Sequence, residues 1–406
     1  LSLGARQSSD KLSFEIPKDY QKLKDLLRWL GISAVHYHHT LNLEPLLLKV
    51  AQDVNAASLL TVHDFFLLNA NPTLTDDEGR FPGMYVENLN NSLYPLPEGM
   101  TESKWRDYHR TLVECADCVI FPSHAARSLF GDMYKLDRAV IAYHVEPHRN
   151  VQKSPGQLVR KHNYVIGVLG AIGREKGADV LERLALTARK YGARFSFTLI
   201  GYAYRQLRAI KSTGPYDNDQ LPALIRKHSV DVILFPNQWP ETYSYTLSSA
   251  LDIGLPIIAP NLGAFPERLS GRANTMLFDH LKPVDDLYED IVSFIKEQEA
   301  GQSYSAPNCK VAQSQLQFYD SDYLDIVASK LKSAHNEPLP FKLEKVNLTY
   351  ESQQQGNWRT VVLQILWNLH SHPLLRRASA AVPYKIKRSI KRSLSRKPMQ
   401  EVVDKD

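Results

Sequence analysis

The stretch from Asp231 to Leu269 constrains the fold of this chain more than any other. It reads DVILFPNQWPETYSYTLSSALDIGLPIIAPNLGAFPERL and predicts a buried strand, a loop with an acid at Glu241, a helix and a second buried strand. Gly254 suits the left-handed residue that ends a helix, and Pro256 cannot continue one. The free amides and the positive dipole end at the start of such a helix favour an anionic group such as a diphosphate. A carboxylate beside them can accept hydrogen bonds from hydroxyl groups, so the segment predicts a site for a nucleotide sugar.

A regular alternation of strand and helix signals runs through residues 164–300. The strands are apolar throughout and are separated by helices with one apolar face, which is typical of a parallel sheet covered on both faces. The region before it alternates in the same way, but has no opening strand that runs into a glycine-rich turn. We predict an α/β protein with two Rossmann-like doubly wound domains, residues 1–155 and 156–335, and a helical tail, residues 336–406. The missing opening strand predicts a fragment, or the end of a longer protein.

Composition narrows the class of protein. The 406 residues are 43% hydrophobic, which is ordinary for a folded protein of two domains. No run of about 20 apolar residues predicts a membrane-spanning helix, and the N-terminus does not have the pattern of a secretory signal. The three cysteines are too few for a disulfide framework and indicate a reducing cytoplasm. Cys115 and Cys118 form a C-x-x-C pair in an apolar passage, where two buried small side chains are favoured over a redox or zinc site.

The net charge of +5 is carried by the tail. Nine basic residues and no acidic residue lie between Arg376 and Lys397, so the rest of the chain is net negative and is not typical of a polyanion-binding protein. Residues 357–397 combine an apolar helix with a stripe that repeats every four residues from Val382 to Leu394. The pattern is typical of a helix on an anionic membrane, where each basic residue contributes about 1 kcal/mol. A disordered basic tail is the alternative, and nucleic-acid binding is disfavoured.

The segment that opens at Glu241 resembles the donor-binding signature of the family 4 retaining glycosyltransferases (glycosyl transferases group 1), which have the two-domain GT-B fold with a cleft between the domains. In that family an acid opens the motif, a helix follows, a second acid lies eight positions on, and Gly-x-Pro closes the motif. Glu241, Gly254 and Pro256 match this pattern, and Ser249 stands where the family has the acid that holds the ribose hydroxyls. The resemblance covers residues 30–330 and implies that the donor is bound by Ser249 and by six consecutive residues. These are Glu241, Thr242, Tyr243, Ser244, Tyr245 and Thr246.

A loop at residues 170–181, GAIGREKGADVL, is the second part of the predicted donor site. It follows the first strand of the second domain, and loops at the carboxyl ends of parallel strands line the ligand crevice. Lys176 places an ammonium there, which can meet a diphosphate and stabilise the leaving group. The resembling family has an arginine about five residues before a Lys-Gly pair. Lys176-Gly177 matches the pair, Ala171 stands at the position of the arginine, and Arg174 either reaches the phosphates from a shortened loop or faces solvent.

In the first domain, His63 directly follows an apolar strand in LLTVHDFFLL, and the same rule places it at the cleft. The resembling family has a histidine at a comparable strand end, which contacts the donor sugar and the reacting centre. A neutral imidazole can bind a hydroxyl or accept a proton near pH 7. Asp64 is predicted to be a local cap or orienting group. Strand alternation sends His36 and His38 to one face and His39 to the other without a carboxylate cluster, which favours a polar cleft lining over a metal site.

The resemblance implies retaining glycosyl transfer with His63, Lys176 and Glu241 as catalytic residues. Lys176 and the helix amides would stabilise the departing nucleoside diphosphate, and Glu241 would orient sugar hydroxyls. No metal or other cofactor is expected. The expected activity moves a hexose or deoxyhexose from a nucleotide sugar to a lipid-linked glycan in bacterial O-antigen or lipopolysaccharide synthesis. The expected location is the cytoplasm, peripheral on the inner face of the plasma membrane.

Two alternatives stay open. A sugar-nucleotide epimerase of the same fold would form its product from the nucleotide sugar alone, without an acceptor. A catalytically silent sugar-nucleotide or membrane-binding module is favoured by Ser249 in place of the acid, by the displaced Arg174 and by the absent glycine-rich turn. All of these interpretations require Lys176 and Glu241 to lie in one pocket.

Overall fold

The protein is described by a computed structural model. The described residues are 2–3, 12–41, 43–83, 91–144, 156, 158–302, 304–309 and 318–331. The chain divides into two compact units, residues 24–338 and residues 1–23 with 339–406. In the latter unit, β1 (Ser2–Leu3) and β2 (Leu12–Ser13) form an antiparallel pair. The predicted tail and the membrane-surface helix within 357–397 lie outside the described residues.

The first half of the unit 24–338 contains a parallel sheet of four strands in the order β3-β4-β5-β6. The strands are β3 (Ala34–Tyr37), β4 (Ala57–Thr61), β5 (Cys118–Phe121) and β6 (Ala139–Ile141). The helices are α1 (Tyr20–Trp29), a 3₁₀ turn (Pro45–Lys49) that continues into α2 (Val50–Asp53), α3 (Glu102–Glu114) and α4 (His124–Gly131). Every residue of β4 and β5 is buried, which accounts for their continuous apolar runs.

The second half contains a parallel sheet of six strands in the order β12-β11-β10-β7-β8-β9. The strands are β7 (Tyr164–Ile172), β8 (Phe195–Ala203), β9 (Lys211–Ser212), β10 (Val232–Leu234), β11 (Ile257–Pro260) and β12 (Thr275–Phe278). The helices are α5 (Ala178–Lys190), a 3₁₀ turn (Asn218–Gln220) followed by α6 (Leu221–Lys227), α7 (Tyr245–Ile253), α8 (Phe265–Arg268) and α9 (Val284–Glu299).

Helices cover both faces of this sheet. Leu184 of α5 and Ile291 of α9 belong to one apolar core, while Ile225 of α6 and Leu247 of α7 belong to another. The sheet therefore separates two cores, which is the doubly wound arrangement. Together the two parallel sheets and their helices confirm the predicted α/β fold with two Rossmann-like halves.

A last described helix, α10 (Asp322–Ala328), lies far along the chain from the first sheet but packs against it. Phe318, just before this helix, is only 1% exposed and shares a core with Leu59 and Ile120 of that sheet. Residues that follow the second half thus complete the core of the first.

Several local expectations were wrong. Cys115, predicted to be buried, is exposed because it caps the end of α3, while Cys118 is buried within β5. Strands β6, β9 and β12 were not predicted.

Helices long and apolar enough to cross a bilayer are absent from the described part of the chain.

Candidate functional site

The strand order of the second sheet locates a crevice. From β7 the chain proceeds to β8 and β9 on one side and then returns to β10, β11 and β12 on the other, so the order reverses between β7 and β10. Ligands of open α/β sheets bind at such a switch point, outside the carboxyl ends of the strands. The loop after β7, residues 173–177, is called the lysine loop below, and the loop after β10, residues 235–244, is called the acidic loop. Both predicted donor loops therefore flank the same crevice.

The two loops are in direct contact. Gln238 N–H donates to the carbonyl oxygen of Glu175 over 2.8 Å. Gly177 has φ +77, and a Cβ at this position would lie 1.8 Å from the carbonyl oxygen of Pro236. Only glycine fits so close to another backbone in this left-handed conformation. The glycine of the Lys-Gly pair thus fixes the separation of the two loops.

Lys176 and Glu241 come together at this contact. Lys176 Nζ lies 3.7 Å from Glu241 Oε1, and the lysine side chain is 38% exposed while the glutamate side chain is 9% exposed. The carboxylate of Glu241 raises the pKa of Lys176, so the ammonium stays charged at neutral pH. The two side chains on which the interpretation depends therefore lie close together, with the ammonium more exposed than the carboxylate.

The carboxylate of Glu241 is held by its own loop. Asn237 Nδ2 and Trp239 Nε1 both donate to Oε1, over 2.8 and 3.1 Å. Gly263 packs against the Glu241 backbone, and Ala264 N–H donates to the Glu241 carbonyl oxygen over 2.8 Å. Among the described residues, both of these hydrogen bonds to the carboxylate fall on Oε1, so Oε2 is the oxygen that can accept hydrogen bonds from a ligand.

The start of α7 lies beside this pair. A Cβ on Gly170, at the end of β7, would lie 3.2 Å from Thr246 in the first turn of α7. Ser244, the residue before the helix, has φ +71, a conformation that non-glycine residues seldom adopt, and its side chain does not cap the helix. Strained residues of this kind occur where the surrounding structure holds them, often at functional sites.

Arg268 provides that support, and sequence reasoning missed it. Its Nη1 donates to the carbonyl oxygens of Tyr243 and Ser244, each over 2.8 Å, and its Nη2 donates to Ser248 Oγ over 2.7 Å. The guanidinium also lies 3.9 Å from the centre of the Tyr243 ring. An arginine in the FPERL segment gave no signal of this role, because its partners lie some 20 residues earlier in the chain.

Two of the predicted donor residues face protein groups. Arg174 Nη1 donates to the carbonyl oxygen of Asp77 over 3.1 Å, and Arg174 Nε donates to the Tyr204 hydroxyl over 3.2 Å. Ser249 Oγ donates to the Tyr245 carbonyl oxygen over 3.4 Å, one turn back in its own helix. Both side chains therefore make hydrogen bonds to other groups of the protein.

His63 follows β4 in the first half and faces the acidic loop. Thr242 Oγ1 donates to the His63 carbonyl oxygen over 2.7 Å. The His63 ring stacks on His144, with 5.3 Å between centroids, and His144 stacks in turn on Tyr245 at 5.5 Å. Partial desolvation in the cleft and the neighbouring His38 lower the pKa of His63, so its imidazole is neutral at pH 7. The predicted first-half histidine and the predicted donor motif therefore share one site.

Asp64 and His39 form a separate local pair. Leu41 N–H donates to His39 Nδ1 over 2.9 Å, and His39 Nε2 lies 3.1 Å from Asp64 Oδ2. Asp64 Oδ1 also accepts from Phe66 N–H over 2.9 Å. In the part of the chain that the structure describes, no three or more His, Cys, Asp or Glu side chains are arranged to hold a metal ion.

A further contact joins the two halves away from this pocket. His124 N–H, at the start of α4, donates to both carboxylate oxygens of Glu267, over 3.2 and 2.9 Å. Burial raises the pKa of Glu267 to about 7. A carboxylate from α8 thus lies at the positive end of a helix of the first half.

The chain matches no known family model and no curated protein. It is similar in structure to HepE (Alr3699) of Anabaena in complex with UDP, at 14% identity, 77% coverage of this chain, 78% of that chain and a TM-score of 0.47. It is also similar to the lipopolysaccharide outer core galactosyltransferase WaaB in its apo form, at 12% identity, 78% and 76% coverage and a TM-score of 0.45. A glycosyltransferase of Rickettsia africae ESF-5 is similar at 14% identity, 74% coverage of each chain and a TM-score of 0.45. Similarity at this distance does not assign an activity to the chain.

Proposed function

We propose that this protein is a retaining glycosyltransferase that moves a hexose or deoxyhexose from a nucleotide sugar to a glycan acceptor. The observation that carries the proposal is the approach of Lys176 Nζ to within 3.7 Å of Glu241 Oε1 at the switch point of the second sheet. A site for a nucleotide sugar needs a positive group for the diphosphate and, a few ångströms away, a hydrogen-bond acceptor for the sugar hydroxyls. Lys176 and Glu241 supply these two groups.

In the proposed complex, the diphosphate lies against the amides at the start of α7 and the ammonium of Lys176. The amides and the helix dipole favour the anion without moving during the reaction. Glu241 Oε2 accepts hydrogen bonds from hydroxyls of the sugar, which fixes the orientation of the anomeric carbon. The positive groups then act on charge that grows on the leaving nucleoside diphosphate.

Retention of configuration follows from attack on the same face as the departing group. The carbon–oxygen bond to the diphosphate breaks first, and an oxocarbenium-like sugar is attacked by an acceptor hydroxyl from the leaving group's side. The acceptor proton goes to the departing phosphate oxygen, so the step balances without a carboxylate nucleophile or a metal. In the proposal, His63 orients a sugar hydroxyl in this state, and two observations support that role: its lowered pKa keeps the ring neutral at pH 7, and its carbonyl oxygen accepts a hydrogen bond from Thr242 of the donor motif.

The acceptor in the proposal is a lipid-linked glycan of a bacterial surface polysaccharide, such as an O-antigen. The basic, apolar-striped residues 357–397 support a location on the inner face of the plasma membrane. Vesicles with and without anionic lipid test this part. Salt-sensitive binding to the anionic vesicles alone supports it, and equal binding to both contradicts it.

A second candidate is a catalytically silent nucleotide-sugar-binding protein. The contacts of Arg174 and Ser249 favour it, because each donates a hydrogen bond to a carbonyl oxygen of the protein. This candidate keeps donor binding and predicts no turnover with any acceptor.

Two measurements separate the candidates. A thermal-shift panel of UDP-, GDP- and dTDP-sugars identifies the donor, since a ligand that binds only the folded state raises the melting temperature. Release of nucleoside diphosphate from that donor is then followed with and without a lipid-linked acceptor. Acceptor-dependent release supports the transferase, product without an acceptor indicates an epimerase, and a shift without turnover indicates the silent module.

The Lys176→Ala variant tests the mechanism. Loss of a preorganised charge at the leaving group lowers turnover by about 100-fold or more. The exposed Lys190→Ala, on the last turn of α5, is the control and keeps full turnover. Turnover of Lys176→Ala within about twofold of the unmodified protein contradicts the assigned role.

A further inference from the structure

A pair of histidine rings is hydrogen-bonded at the edge of the first sheet, beside the proposed sugar site. His38 Nδ1 lies 3.0 Å from His63 Nε2, and the two ring centroids are 5.3 Å apart. The two residues follow the adjacent parallel strands β3 and β4, and both are exposed. We call this pair the histidine dyad.

The rings of the dyad are fixed from both ends. His38 stacks on His36 with 4.2 Å between centroids. His36 is itself held at both ring nitrogens, by Thr61 Oγ1 at 2.7 Å and by the Tyr323 hydroxyl at 3.2 Å. At the other end, His63 stacks on His144. These contacts link the four imidazoles and resist rotation of the rings that make the dyad.

The hydrogen bond couples the protonation of the two rings. A neutral imidazole carries one N–H, and a hydrogen bond between two ring nitrogens requires one proton between them, not none and not two. If that proton sits on His38 Nδ1, then His63 Nε2 is bare and His63 carries its own proton on Nδ1. If it sits on His63 Nε2, then His63 Nδ1 is bare and His38 carries its proton on Nε2. Both rings are Nδ1–H in the first case and both are Nε2–H in the second.

We propose that His38 is a positioning residue for His63: the hydrogen bond in the dyad gives both rings the same tautomer and presents one N–H donor and one bare nitrogen to the cleft. The two outer nitrogens are His38 Nε2 and His63 Nδ1, and neither makes a hydrogen bond within the described residues.

The role of the dyad in transfer rests on the proposed function. A sugar hydroxyl can donate one hydrogen bond and accept others, so a His63 Nδ1 whose protonation is fixed suits it better than the same atom of an imidazole that exchanges tautomers. His38 then acts through His63 on the orientation of the sugar, and does not itself touch the reacting atoms. The lowered pKa of His63 keeps the His63 ring neutral at pH 7.

The tautomers can be read directly. The full chain is labelled with ¹⁵N-histidine, and two-bond ¹H–¹⁵N correlations are recorded at pH 8, with assignment through the His38→Asn and His63→Gln variants. We expect His38 and His63 to show the same single tautomer. In His38→Phe, which keeps a stacking ring but has no nitrogen, we expect the His63 shifts to move towards a mixture of tautomers. Opposite tautomers in the unmodified protein, or unchanged His63 shifts in His38→Phe, overturn the proposal.

Turnover tests the role in positioning. With the donor identified by thermal shift, His38→Phe should lower kcat by about tenfold with KM for the donor changed less than twofold. His38→Asn places an amide where Nδ1 was and should recover part of the loss. The exposed His162→Gln is the control and keeps both constants. Equal kcat in His38→Phe and the unmodified protein overturns the role of His38 in positioning. Absence of turnover in the unmodified protein counts against the transferase, and the tautomers of His38 and His63 then decide whether the dyad exists as proposed.

Discussion

Replacement of Gly263 by alanine tests how the acid at 241 is positioned. Gly263 has φ +59, and a Cβ there would lie 2.6 Å from both the backbone nitrogen and the carbonyl oxygen of Glu241. Gly301 has φ +75 and has nothing within 4 Å of its would-be Cβ. The two glycines therefore share the left-handed backbone and differ in the space around them.

The magnitude follows from that difference. A left-handed conformation costs a residue with a side chain about 1–2 kcal/mol, and both variants incur it. Only Gly263→Ala also forces a Cβ into buried backbone, and overpacking of this kind costs a further 1–3 kcal/mol or so. We expect Gly301→Ala to lower the free energy of unfolding by about 1–2 kcal/mol and Gly263→Ala by about 2–5 kcal/mol.

Urea unfolding, followed by tryptophan fluorescence, measures both free energies. The slope of the free energy of unfolding against urea concentration should be the same in all samples, which shows that only stability has changed. The same samples are then titrated with the donor. Because Gly263 supports the Glu241 turn, its variant should also bind the donor more weakly, whereas Gly301→Ala should bind normally. Equal losses of stability in the two variants, with unchanged donor affinity, would refute the claim that Gly263 sets the position of this turn.

Two further predictions concern the contacts around the site. Arg268→Ala removes hydrogen bonds to the carbonyl oxygens of Tyr243 and Ser244. It should lower the free energy of unfolding, measured in urea, by about 3 kcal/mol. Arg189 is exposed, and the control Arg189→Ala should change this free energy by less than about 0.5 kcal/mol. A similar small loss in both would contradict the supporting role of Arg268. The second prediction is a pH dependence of stability. Folding raises the pKa of Glu267 from 4.5 to about 7, so between these pH values the folded protein holds a proton that the unfolded chain has lost. The free energy of unfolding therefore falls as pH rises from about 4.5 to about 7. Glu267→Gln should flatten this fall in unfolding curves measured at several pH values, and an unaltered pH profile would count against it.

Much of the fold could be predicted because the strands of the second sheet are buried on both faces. Their continuous apolar runs, separated by helices with a single apolar face, leave few alternatives to a parallel sheet. Ligands bind at the carboxyl ends of such strands, and this rule predicted that the lysine loop and the acidic loop lie at the same crevice. The proximity of Lys176 and Glu241 therefore followed from local patterns and one rule of topology.

The remaining features depend on contacts between distant segments. Arg268 reaches the loop before α7, and Arg174 reaches Asp77 in the first half, yet neither arginine lies in a pattern that names its partner. The dyad required the exact register of β3 on β4, which pairs His36 with Leu59 and so brings His38 beside the end of β4. A sequence read segment by segment cannot specify such pairings, because they are set by how the elements pack.

The return of the chain to the first sheet has a consequence for how this protein is made. Phe318 packs in a core next to Leu59 and Ile120, whose strands are synthesised far earlier in translation. While the ribosome is still translating the second half, Phe318 and the residues of α10 that pack on this core have not yet been made. The amino-terminal sheet therefore reaches its final packing only after the carboxyl-terminal sheet has been translated, and a nascent chain that stops before Phe318 offers an apolar face to chaperones.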